Sequence, residues 1–170
     1  MTTNKVLIPL DGSALSQKIL LYVQRLLHPA ACTLILLRVA ERRAGMVGMP
    51  PRPASPDEPV PMYESEQDII WAEHPIYASQ ERQSVSAALE DELVPIVHDL
   101  REAGYTVSMA VRFGEPVAEI VNFVESEDVN LVAMATHGRT GLRRLVLGSV
   151  AAEVLQHLRV PMLLVRPFET

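Results

Sequence analysis

Five short runs of branched, apolar residues alternate along this chain with stretches of helical period, and that alternation leaves few folds open to it. The runs are "KVLIPL" (5 to 10), "TLILLRV" (33 to 39), "YTVSMAVRF" (105 to 113), "VNLVAMAT" (129 to 136) and "PMLLVRP" (161 to 167). The first, second and fourth are apolar almost throughout, as expected of strands covered on both faces. Between them, Leu15, Ile19, Tyr22, Val23 and Leu26 recur at steps of three or four, and so do Val85, Leu89, Leu93, Ile96 and Leu100 around Pro95, a possible kink. A third helix opens at "GEPVAEIVNFV", where Pro116 falls in a first turn that needs no N–H from it, and a fourth runs from Ser149 through Val154 and Leu158. Gly104 closes the second. Strand, helix, strand, repeated, implies parallel strands joined by right-handed crossovers: an α/β three-layer sandwich.

One segment interrupts the rhythm. From Glu41 to about Ala78 no periodicity is clear, and seven of the thirteen prolines fall there. From Pro53 to Ala78 six acids (Asp57, Glu58, Glu64, Glu66, Asp68 and Glu73) meet no lysine or arginine. A single domain over 1–170 with a proline-rich, acidic insertion at about 41–78 is the expectation. Ile69, Ile70, Trp71 and Tyr77 are its candidate anchors, and it reads equally as a tolerated surface insertion or as a lid.

Composition narrows the function. A formal net charge of -6 on 170 residues disfavours a general nucleic-acid or anionic-membrane surface. The lone cysteine, Cys32, lies in an apolar run and reads as a packed core thiol in a reducing compartment. The N-terminus carries too short an apolar run for a signal segment, and no stretch reaches the ~20 apolar residues of a membrane span, so the reading is cytosolic.

In open parallel sheets ligands bind beyond the carboxyl ends of the strands. The first strand ends in "PLDGS", where Asp11 is either a carboxylate at the sheet's mouth or simply an Asx turn before a helix. The fourth leads into "THGRTGLRRLVLGS" (136 to 149), which holds Arg139, Arg143 and Arg144 in a stretch free of acids from Val129 to Ala152. Gly138 lets a main-chain N–H approach an anion, and Gly148 and Ser149 open a helix whose free N–H groups favour negative charge. A phosphate cradle and a solvated turn with a capped helix are equally consistent with this loop alone. Other templates are missing: there is no G-x-x-x-x-G-K-[ST], no G-x-G-x-x-G after a strand and no G-x-S-x-G. The histidines form no metal-ligand spacing, and the acidic pair and lysine of a phospho-receiver are absent.

Taken together, "VLIPLDGS", "GEP" after the third strand, Gly138 and Gly148-Ser149 with nine residues between them, and "VPMLLVRP" resemble the universal stress protein (UspA) family, over nearly the whole chain outside the insertion. The resemblance implies a five-stranded parallel sheet of order 3-2-1-4-5, a Rossmann-like, adenine nucleotide alpha hydrolase-like fold in which the ends of strands one and four adjoin. It implies binding of ATP or a related adenine nucleotide as a regulatory ligand in stress response, with or without Mg²⁺, and at most slow ATP hydrolysis, with no catalytic residue assigned. By position, Pro9, Leu10 and Asp11 would flank the adenosine, Val39 would offer main-chain groups to the base, and Met134 and Ala135 would line the ribose. Gly138, Gly148, Ser149 and Val150 would contact the phosphates, helped by His137 and Arg139. Ala135 stands where the family's motif has its first glycine: a positive φ there would cost alanine about 1 kcal/mol or more, whereas ordinary β conformation tolerates the methyl group. The resemblance further implies a homodimer through the edge strand at about 161–167. A homodimeric interaction module that binds no nucleotide is the alternative.

Overall fold

A computed structural model describes residues 3–40, 75–136 and 148–166, with 75–81 described by backbone alone. Five parallel strands form one sheet: β1 (Asn4–Pro9), β2 (Cys32–Ala40), β3 (Thr106–Phe113), β4 (Leu131–Ala135) and β5 (Met162–Val165). Their order is β3-β2-β1-β4-β5, as the resemblance implies. The helices are α1 (Ala14–Gln17), α2 (Ile19–Leu26), α3 (Pro75–Glu102), α4 (Pro116–Ser126) and α5 (Ser149–His157).

Strand alternation sorts the core onto two faces. Val6, Ile8 and Leu10 of the β1 segment, with Leu34 and Leu36 of β2, pack beneath Ile19 and Val23 of α2 and Leu93, Val97 and Leu100 of α3. Leu7, Ile35, Leu37, Val132 and Met134 point the other way, against Val117, Ile120, Phe123 and Val124 of α4 and Ala151 and Val154 of α5. The three layers follow from this parity, and so does the burial of both faces of the central strands.

Two helices differ from the sequence expectation. The first amphipathic stretch is broken at Lys18, whose N–H reaches back three residues to Leu15 O (3.2 Å), and Leu26 at its end is exposed. The second begins at Pro75, inside the stretch expected to be irregular as far as Ala78, and runs through Pro95 without a break. Proline suits a first helical turn because its missing N–H has no partner to lose there. The insertion's other proposed anchors, Ile69, Ile70 and Trp71, and the side chain of Tyr77 lie outside the described residues. Cys32 is buried, its thiol facing His28 O at 3.6 Å, and burial pushes its pKa up.

The topology opens a crevice at one place. The ladder between β1 and β4 joins Val6 to Leu131 and Leu7 to Val132 and stops there, whereas β1 stays paired to β2 as far as Pro9 and Leu37. The chain leaving β1 turns toward the α2–α3 face and the chain leaving β4 enters α5 on the opposite face. Beyond Leu7 and Val132 the two strand ends therefore part, which makes this the switch point of the sheet.

Candidate functional site

The β1 side of the crevice is set by one tight turn. Pro9 ends the strand, and buried Leu10 prolongs the ladder by donating its N–H to Leu37 O (2.9 Å). Asp11 then forms an Asx turn: its Oδ1 accepts from Ser13 N (2.9 Å) and from Ser13 Oγ (2.6 Å). Ser13 caps α1 in turn, its Oγ accepting from Ser16 N at 3.0 Å. Gly12 between them has φ +84°, a left-handed conformation that a side chain strains. The turn-forming role of Asp11 foreseen from the sequence is thus present, and it fixes the carboxyl group at the mouth of the sheet.

The β4 side is set by α5. Met134 is buried and Ala135, half-buried, pairs with Val165 inside the ladder. Asp128 is the sole non-glycine residue with positive φ among those described, so Ala135 has the ordinary extended backbone that accepts a methyl group. Thr136 continues the strand by donating its N–H to Val165 O (2.8 Å), and its own carbonyl accepts from Gly148 N (2.6 Å). That bond ties the start of α5 to the end of β4. Gly148 is the N-cap and makes no side-chain cap bond, while Ser149 and Val150 occupy the first turn. Among the described residues no side chain caps this first turn, so its N–H groups and the positive end of the helix dipole make an arrangement that receives anions. His137, Gly138, Arg139, Arg143 and Arg144 lie outside the described residues.

Val39, near the end of β2, is half-buried and pairs with Arg112 of β3 beyond the point where β1 stops. Pro9, Leu10, Asp11, Val39, Met134, Ala135, Gly148, Ser149 and Val150 therefore all sit at the carboxyl end of the sheet, on its three central strands or just after them.

Sequence reasoning missed Arg38. It shares the parity of Leu34 and Leu36, so its side chain enters the α3 side of the core, where it is 7% exposed. Nη1 donates to Leu10 O (3.1 Å) and Nη2 pairs with Glu92 of α3 (2.8 Å). The guanidinium lies so close to Gly12 that a Cβ there would stand 2.8 Å from Nη2. Beside it, Leu10, Asp11, Gly12, Gln17 and Ile96 help line a cavity of about 260 Å³ against α3. The available signal was a single charge inside "TLILLRV", easily passed over as a strand-end arginine. Among the described residues no three His, Cys, Asp or Glu side chains converge as metal ligands, and no helix is long and apolar enough to cross a membrane.

Known proteins are similar to this chain in architecture and in sequence. The Universal stress protein family pattern matches residues 2–166. Universal stress protein YxiE of Bacillus subtilis is 27% identical over 164 residues, 96% of this chain and 99% of that one. Universal stress protein MJ0577 of Methanocaldococcus jannaschii is 28% identical over 90 residues, 53% of this chain and 56% of that relative's length. The solved structure of MJ0577 superposes with a TM-score of 0.72 at 24% identity, over the whole of both chains. An Arabidopsis thaliana family member solved with AMP bound gives 0.59 at 18% identity, covering 97% of this chain and 92% of that one. The Archaeoglobus fulgidus protein in complex with dAMP gives 0.54 at 15%, covering 97% and 98%. With its sheet order, its crevice and a family pattern that spans almost its full length, this chain belongs to the universal stress protein family.

Proposed function

We propose that this protein binds an adenine nucleotide, ATP or a relative of it, as a regulatory ligand in the crevice between the ends of β1 and β4. The observation that carries the reading is the bond from Gly148 N to Thr136 O. It holds the start of α5, whose N-cap glycine has no side chain to spend on the first-turn amides, at the end of β4, beside the strand whose end presents Asp11. Adenine nucleotides bound to family members of the same fold support it.

In this reading Pro9, Leu10 and Asp11 flank the adenosine, Val39 offers main-chain groups to the base, and Met134 and Ala135 line the ribose. The amides of Gly138, Ser149 and Val150 and the Ser149 hydroxyl receive the phosphates, with His137 and Arg139 adding donors, while Gly148, its own N–H held by Thr136 O, contributes a main chain that a phosphate can approach closely. A Mg²⁺ ion accompanying ATP would draw most of its ligands from phosphate and water, the usual preference of that ion, because Asp11 is the one carboxylate on the β1 turn. The ligand acts by occupancy, and any hydrolysis is slow. We place the protein in the cytosol, as a homodimer joined along β5.

Calorimetric titration of the purified protein with AMP and with ATP tests the reading. Binding is expected well below about 1 mM. Arg139→Ala should weaken ATP several-fold more than AMP, since an arginine near the phosphates gains most from the added charge. No heat and no retained nucleotide with the wild-type chain at millimolar ligand would end this reading and leave the interaction module in its place.

A further inference from the structure

Arg38 is an expensive residue where it stands. A guanidinium in the core gives up its hydration, and good geometry with every N–H satisfied is needed to recover that loss. Here it is not all recovered: Nε is buried and has no hydrogen-bond partner among the described residues. Glu92, the ionic partner, is more than half exposed at 56%, so solvent screens the pair. An apolar side chain of similar length would fill the same space more cheaply. Stability is thus a poor reason for an arginine at this position.

What the side chain does touch converges on one turn. Leu10 N makes the last ladder bond of β1, and Leu10 O, one peptide further on, is held by Nη1. A charge-assisted bond is about twice as strong as a neutral one, so it fixes the exit of the strand. The next residues are Asp11 and Gly12, and the guanidinium plane lies against Gly12 at a distance only glycine permits. Nη2 also reaches Glu92 of α3, the helix that follows the acidic insertion.

We propose that Arg38 is a positioning residue for the nucleotide site: from within the sheet it holds the β1–α1 turn that presents Asp11, and through Glu92 it links that turn to α3. The inference rests on the nucleotide reading and adds a coupling to it. A shift of α3 that parts Glu92 from Arg38 loosens the turn and lowers nucleotide affinity, and by reciprocity bound nucleotide steadies α3.

Three variants of the full chain test this: Arg38→Met, Arg38→Lys and Glu92→Ala, each measured for thermal midpoint, for AMP and ATP affinity, and for amide exchange at Ser13, Ser16 and Gln17 without ligand. Arg38→Met should melt close to wild type yet bind about tenfold more weakly and exchange faster at those amides. Arg38→Lys should recover part of both, since an ammonium can still serve Leu10 O. Glu92→Ala should fold normally and bind about threefold more weakly, the scale of an exposed pair. A folded Arg38→Met that binds and exchanges like wild type overturns the proposal. Should that variant fail to fold, Glu92→Ala and Arg38→Lys decide instead, and wild-type values in both overturn it. If wild type binds no nucleotide, the site reading fails by itself, while slower exchange in wild type than in Arg38→Met still shows the arginine holding the turn.

Discussion

Replacing Gly12 by alanine forces two changes at once: a side chain at φ +84°, and displacement of a guanidinium that stands where the methyl group would go. Left-handed backbone costs a non-glycine residue about 1–2 kcal/mol, so Gly12→Ala should lose roughly that amount or more in a urea titration. Asp128 is the mirror case. It holds φ +52° after α4, and Asp128→Gly should gain up to about 1 kcal/mol by the same measure. Burial raises the pKa of both Cys32 and Tyr105, whose hydroxyl donates to Leu27 O at 2.6 Å. Each group stays protonated in the folded chain at a pH where the unfolded chain releases its proton. Stability is therefore intact at neutral pH and falls as pH rises above the ordinary thiol and phenol values. Denaturation midpoints from pH 7 to 11 should show this fall, shallower in Cys32→Ala. At this scale Asp11 was legible, because an Asp-Gly-Ser after a strand has few conformations. Arg38 was not, since its partners Leu10 and Glu92 are brought to it only by tertiary packing.

Helices and strands were legible wherever one periodicity governed a whole element. Leu93, Val97 and Leu100 form the buried stripe of α3, and Leu100, at 1% exposure, should cost about 2–5 kcal/mol when cut to alanine, read as a drop in the urea midpoint. Leu26 fits the same helical period on α2 yet is 63% exposed, so Leu26→Ala should be nearly neutral. Periodicity locates a face but cannot say where the neighbouring layer ends. The start of α3 was hidden for another reason: Pro75 closes a run of prolines and acids that argues for irregular chain, although proline in a first turn is itself a helix signal. The first turn of α4 is built the same way, with Glu115 accepting from Ala118 N at 2.9 Å and Pro116 next.

For the whole molecule, sheet order entered through resemblance to a family, since the residues alone gave alternation but no neighbours. The edge strand β5 carries the assembly proposal. Its carbonyls at Pro161 and Val165 serve Val132 and Thr136 of β4, so by alternation the main-chain groups of Met162 and Leu164 face outward. On that proposal native mass spectrometry should give a dimer for the wild-type chain and monomer for Leu164→Pro, which removes an outward N–H while sparing the inner ladder. The bond between Thr136 and Gly148 has a consequence for how such a chain diversifies. Because it fastens both feet of the stretch between them to one spot on the sheet, that stretch can be exchanged for another of equal length without asking the strands to rearrange. On the nucleotide proposal, the phosphate contacts from this stretch can then vary while the strands keep the fold and the adenosine contacts. A chimera carrying residues 137–147 of a relative should keep its melting temperature while its preference among AMP and ATP moves toward the donor's.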